Sequence, residues 1–176
     1  MNIINILQGF GKSILPGLIM LSLVVGQSAI VILQPTEGSS VQGIVRFSQA
    51  AHGIRVTGTI SGLTAGPHGF HIHEYGDCTD PAGKSAGGHF NPAGAPHGDR
   101  GQPANKRHVG DLGNIVADKK GIAQIDFIDP LLSFSGDNNI IGRAVVVHAG
   151  RDDLTSQPSG AAGPRLACGV IGRAKQ

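Results

Sequence analysis

The sequence predicts an all-β fold, an antiparallel sandwich or flattened barrel of eight strands in a single domain, and three observations carry that expectation. Short stretches rich in β-branched residues recur between Gly, Pro and Asp turns, the pattern of strands joined by tight connections. No segment holds a long apolar period of 3.6 residues, so helices are expected to be minor. Composition agrees: the chain has 28 glycines and no tryptophan, and only 15% of its residues are charged, which disfavours a helical bundle. At 176 residues it is long enough to bury a core of its own.

The expected strands follow in order. "AIVILQP" is the first, and the hairpin signal "TEGSS" joins it to "VQGIVRFS". "IRVTGTISGL" is third and "HGFHIHEY" fourth. Along the fourth, side chains alternate between faces, so His71 and His73 share one side and Phe70 and Ile72 the other. "HVGDLGNIVAD" and "GIAQIDFID" are fifth and sixth, with "ADKKG" as the turn between them. "IIGRAVVVHA", with its buried-looking run "AVVVH", is seventh, and "RLACGVIG" closes the series.

Two connections break this rhythm, one from Tyr75 to Arg107 and one from Ala149 to Pro164. A compact domain rarely keeps a long loop unless the loop works or is disordered. Here the first loop contains His89 and His97 and ends just before His108, and each loop lies beside a cysteine, so a clamp is expected. The two cysteines, Cys78 and Cys168, permit a single disulfide, and the compartment decides whether it forms.

Charge argues against one class of partner. The formal charge is +2, and the only basic clusters are "DKK" and "NKRH", both read as solvated turns, so nucleic acid is not expected as a partner. The N-terminus speaks to location. "MNIINILQGFGK" precedes the apolar run "SILPGLIMLSLVV" and the small or polar "GQSA", which reads as a secretory signal over residues 1–28 with Lys12 as its basic residue. Cleavage near Ser28 or Ala29 leaves a domain of residues 29–176. The apolar run is short for a membrane span and contains Pro16, although an uncleaved anchor running on through "IVIL" is the alternative. The expectation is an exported protein, periplasmic or extracellular, with no stable membrane association after cleavage.

Six of the eight histidines, His71, His73, His89, His97, His108 and His148, fall in the long loops or on strands bordering them. An acid, Asp111, lies three residues past His108. Imidazole suits zinc and copper, whereas carboxylate-rich oxygen sites suit calcium or magnesium. Six imidazoles exceed what one tetrahedral zinc needs, so the residues point to two metals, or to one metal with spares.

"GFHIHEYGD", "GGHFNP", "HVGDLGN", "IIGRAVVVH" and "RLACGVIG" occur in that order and together resemble copper/zinc superoxide dismutase. The resemblance runs through nearly all of the chain after the signal. It implies an eight-stranded Greek-key barrel with two long functional loops. It further implies copper on His71, His73, His89 and His148, and zinc on His89, His97, His108 and Asp111, with His89 bridging the two. By the same resemblance Asp152 hydrogen-bonds His71 and His97, Arg165 stands beside copper, and Cys78 pairs with Cys168. Asp153 illustrates an ordinary loop aspartate; His68 matches a structural position and His52 a surface turn, so neither is expected to bind metal.

The implied activity converts superoxide to dioxygen and hydrogen peroxide, with copper cycling between Cu(II) and Cu(I). His89 would leave reduced copper, take a proton and return it, while zinc holds His89 and has no redox role. Arg165 would dock the superoxide anion. The chain departs from the family pattern in three places. Cys78 follows "GD" directly, which resembles exported bacterial members; the loop before Arg165 is short, with "LTSQPSGAAGP" in place of the charged guides of eukaryotic members. A different salt dependence is therefore expected. Third, "IIGR" and "CGVIG" match strands of the eukaryotic dimer contact, so a homodimer is expected, but Arg173 stands where an apolar contact residue is usual and leaves the interface open. A metal carrier of this fold would be expected to lose a copper histidine or the arginine. A sandwich with zinc alone leaves His71, His73, His148 and Arg165 unexplained.

Overall fold

Alternation decides which side of each strand turns inward, and the computed structural model, which describes residues 26–175, follows it closely. Strand β1 (Ser28–Pro35) buries Ala29, Val31 and Leu33 and leaves Ile32 outside. Strand β2 (Gln42–Ala50) buries Val45 and Phe47, and β3 (Gly53–Ser61) buries Ile54, Val56 and Ile60. Strand β4 (Gly66–His73) is buried on both faces, with Phe70 and Ile72 in the core and His71 and His73 on the other side. Strands β5 (Asp111–Ala117) and β6 (Ala123–Asp129) follow, then β7 (Ala144–His148), β8 (Arg165–Val170) and the two-residue β9 (Gly172–Arg173).

The strands pair in the order β2-β3-β6-β5-β4-β7-β8-β1, and β1 pairs with β2 to close the ring. All the ladders are antiparallel. The expected eight-stranded barrel is thus present, extended by β9, which pairs with β1 at Ala29 and Ile30. The turns "TEGSS" and "ADKKG" do join β1 to β2 and β5 to β6. The helical content among the described residues is one 3-10 turn, Lys84–Ala86, and no helix there is long and apolar enough to cross a membrane. The signal expected over residues 1–28 lies outside the described residues except at its last three positions.

Two readings need correction. The expected seventh strand begins later, because residues 140–143 form a turn in which Gly142 takes a φ of 81°, a left-handed conformation that glycine adopts without cost. "NKRH" is not a wholly solvated turn. Arg107 is buried, and its guanidinium meets Asp129 through two hydrogen bonds of 2.8 and 2.9 Å. It also donates to the carbonyls of His108 and Asp111. A charge can be buried there because its donors are met by a carboxylate and by main-chain oxygens.

The outer face of β7 and β8 is apolar too, and the first long loop covers it. Ala144, Val146 and Cys168 pack with Ala86, and Cys78 lies against them. The Cys78–Cys168 disulfide, spanning 90 residues, holds the loop down at this point.

Candidate metal centre

Strands place one half of the centre. His71 and His73 pair with Val146 and Ala144 of β7, so the β4 side chains on that face stand beside His148 at the end of β7. The ring centroids lie 5.0 Å apart for His71 and His148 and 5.6 Å apart for His73 and His148. Each ring is oriented through one nitrogen. His71 donates Nε2–H to Asp152 Oδ2 at 2.7 Å, His73 donates Nδ1–H to the Gly87 carbonyl at 2.9 Å, and His148 donates Nδ1–H to the Gly163 carbonyl at 3.0 Å. The other nitrogens, His71 Nδ1, His73 Nε2 and His148 Nε2, turn inward, and the last two are 3.4 Å apart.

Loop residues and the first residue of β5 form the other half. The Nδ1 atoms of His89, His97 and His108 lie 2.8, 3.0 and 3.1 Å from Asp111 Oδ1. Asp111 Oδ2 accepts the main-chain N–H groups of Gly98 and His108, which fixes the carboxylate. His89 belongs to both halves. Its Nδ1 faces Asp111, and its ring lies 4.0 Å from that of His71 and 5.1 Å from that of His73.

The donor atoms of His71, His73, His89 and His148 all lie within 4.8 Å of one another, and so do those of His89, His97, His108 and Asp111. Buried polar atoms nearly always find a hydrogen-bond partner. Yet among the described residues His71 Nδ1, His89 Nε2, His97 Nδ1 and His108 Nδ1 are buried with no hydrogen bond. Four orphaned nitrogens converging on two adjoining points are what metal ions would satisfy. The all-nitrogen set suits copper, and the set of three nitrogens and one carboxylate oxygen suits zinc.

Burial keeps three of these rings, those of His73, His89 and His148, neutral, the form in which imidazole binds metal. His89 is lowered to about 4 by burial, with His71 and His97 adding to the effect and Asp111 opposing it. His148 is lowered to about 3 by burial and the neighbouring His71, and His73 well below its usual value by burial and His89. His97 goes the other way: burial pulls it down, but the adjacent Asp111 carboxylate and the bond to Asp152 prevail and raise it to about 9. Burial would raise both carboxylates, but their histidine partners hold Asp111 and Asp152 well below the usual range.

Asp152 joins the halves, since its Oδ2 accepts from His71 and its Oδ1 from His97 Nε2 at 2.9 Å. Its own main chain is held by Asn114 of β5, which donates to the Asp152 carbonyl and accepts from the Asp152 N–H. Gln157 does the same for His97, accepting from its N–H at 2.8 Å and donating to its carbonyl at 2.9 Å. At Gly160 a β-carbon would collide with Asp152 Oδ1 and His97 Nε2, and the φ of 69° favours glycine as well. The sequence offered only a partial signal for these three: Asn114 ends the run "HVGDLGN", while nothing marks Gln157 or Gly160.

Arg165 borders a pocket of about 390 Å³ lined by His73, His89, His148, Pro158 and Ser159. Its guanidinium donates to the carbonyls of Gly83 and Gly87 at 2.6 Å each, so the cation is fixed at the rim. A larger pocket of about 540 Å³ beside Arg100 and Leu154 contains none of the convergent nitrogens. His68 is buried between the carbonyls of His148 and Thr64, and His52 is exposed in the turn between β2 and β3, so both lie outside the two clusters. Asp153 is exposed, and its carboxylate accepts from the main-chain N–H groups of Thr155 and Ser156 in its own loop.

A closed β-barrel with room for two adjoining metal ions around a shared histidine describes a binuclear metalloprotein. Residues 41–171 match the copper/zinc superoxide dismutase family, and the chain belongs to it. It is 49% identical over 145 residues to a Cu-Zn superoxide dismutase of Onchocerca volvulus, covering 76% of this chain and 90% of that one. It is 51% identical over 140 residues to Cu-Zn superoxide dismutase A of Xenopus laevis, covering 75% and 89%. An extracellular Cu-Zn superoxide dismutase of Brugia pahangi is 46% identical over 154 residues, covering 82% and 75%. Among solved structures, the clock protein EA4 is similar with a TM-score of 0.77 and 43% identity, covering 85% of this chain and 96% of that one.

Proposed function

We propose that this chain is a superoxide dismutase that binds copper through His71, His73, His89 and His148 and zinc through His89, His97, His108 and Asp111. The observation that carries the reading is the shared imidazole: His89 turns Nδ1 to Asp111 and keeps a buried, unpartnered Nε2 beside the strand histidines. When bound, copper supplies a one-electron couple that oxidises one superoxide to dioxygen and reduces the next to hydrogen peroxide, and zinc supplies charge without redox chemistry.

The chain supplies the rest. Arg165 holds a cation at the rim of the pocket, where it docks the anion and stabilises the charge that grows on it. His89 Nε2, which has no hydrogen-bond partner among the described residues, would take a proton when it is free of metal and pass it to the reduced oxygen product. Asp152 orients His71 and His97 together, so the two donor sets stay in register.

The disulfide and the extracellular relative support export, with residues 1–28 as a cleaved signal, residues 29–176 as the mature domain, and a periplasmic or extracellular destination without stable membrane association. The cysteine spacing remains the argument for likeness to exported bacterial members. An apolar row on the outer face of the barrel supports the reading of a homodimer. Ile44 of β2 pairs across the ladder with Ile32 of β1, and β8 beside β1 adds Val170; these are 48%, 58% and 44% exposed. Arg173 pairs with Ala29 at the end of the same strand.

Pulse radiolysis of the copper- and zinc-loaded protein tests the enzyme. Superoxide decay should be catalytic, should vanish in zinc-only protein, and should slow about tenfold or more in Arg165→Ala. No decay above that of free copper, with both metals shown bound, would overturn the reading in favour of a metal carrier.

A further inference from the structure

His97 serves two partners in the centre: its Nδ1 faces Asp111 while its Nε2 bonds Asp152. A ring can serve two partners only if its Cα is held, and His97 lies in a loop outside any strand. Among the described residues its main-chain N–H and carbonyl meet no other main-chain group; both are taken by one side chain, the carboxamide of Gln157. The same amide nitrogen also donates to the Thr155 carbonyl at 3.2 Å, which steadies Gln157 from its own loop.

We propose that Gln157 is a positioning residue for the zinc site, its carboxamide standing in for the peptide of a neighbouring strand and pinning His97 from the opposite loop. The proposal rests on the zinc reading above. The chemistry is specific to an amide of this length. A primary carboxamide offers an acceptor and a donor side by side, as a peptide does. Glutamate would keep the acceptor but set a second oxygen against the His97 carbonyl. Alanine would leave two main-chain groups of a buried residue unmatched. Asn114 grips Asp152 in the same two-pronged way, so the His97–Asp152 bond is clamped at both ends.

Cobalt(II) in the zinc position reports directly on its geometry. The metal-loaded protein would be compared with Gln157→Ala, Gln157→Glu and Ser156→Ala, following the ligand-field absorption and the rate of cobalt release to a chelator. Ser156→Ala is the control, because it loses only the side-chain bond to Asp153 within the same loop. Both Gln157 variants should release cobalt about tenfold faster with an altered absorption band, while Ser156→Ala behaves as the parent. Parent-like spectra and release in the Gln157 variants would overturn the proposal. So would equal acceleration in Ser156→Ala, which would mean that the loop's general stability sets the rate. A parent protein that takes up no cobalt in a tetrahedral site would remove the zinc reading itself, a separate and recognisable failure.

Discussion

The two halves of the metal centre are held by different means. His71, His73 and His148 stand on β4 and β7, where ladder hydrogen bonds fix the main chain and alternation fixes the direction of each ring. His97 and His108 stand on a loop that owes its shape to separate ties: the Cys78–Cys168 disulfide, the Arg107–Asp129 ion pair and the Gln157 clasp. A sheet positions ligands through neighbours all along the strand. A loop needs each clamp placed individually, often from far along the chain, and metal binding there becomes part of the folding free energy.

Removing one tie should expose the contrast most strongly. With Cys78→Ser and Cys168→Ser together, the chain-entropy argument for a span of 90 residues sets a loss of up to about 4–5 kcal/mol, measurable by denaturant unfolding. Hydrogen exchange should quicken first between residues 76 and 107; an equal rise in β4 and β7 would break the distinction between the halves. Asp152→Ala is a smaller change that touches both. Zinc affinity should fall about 10–100-fold, and copper affinity should fall less because the strands still hold His71. Equal losses in competitive chelator titrations would show that the strand half depends on the clamp as much as the loop half does.

The subtlest separation is by pH in the metal-free protein. His73, His89 and His148 have lowered folded values, so unfolding takes up protons below the free value near 6.5. Their contribution is therefore lost as pH falls from about 6.5 through about 4, at about 1.4 kcal/mol per pH unit for each proton taken up. His97 has a raised value, so its contribution is full below about 6.5 and fades as pH rises through about 9. Denaturant midpoints across pH should thus peak near 6.5, with His97→Gln removing only the alkaline fall. A midpoint independent of pH between 4 and 6.5 would contradict the neutral state of the buried rings.

Much of this could be read from the sequence, for a physical reason. Strand alternation is local, so eight strands and the shared face of His71 and His73 were visible without coordinates. The histidines and Asp111 that converge in the structure were visible because the motifs carrying the family resemblance are short and ordered. Arg107 was misread because its partner, Asp129, lies 22 residues away, on β6, and nothing around "NKRH" marks a buried charge. Gln157 was silent because its role depends on which main-chain groups the other loop leaves open, and only the packed structure sets that. The late start of β7 went unseen because "IIGR" is apolar enough to pass for strand.

Closure of the ring has a consequence for how copies of the molecule can meet. Among the described residues each of β1 to β8 has a strand neighbour on both sides, so backbone edge is left only at β9, which pairs with β1 alone, and along β5 and β6 beyond their single Ala117–Ala123 pair. The apolar row of Ile32, Ile44 and Val170 lies on the face of a finished barrel, so contact there joins side chains alone. Such an association would form and dissolve with the protomers fully folded, and it would not extend the sheet from one copy to the next.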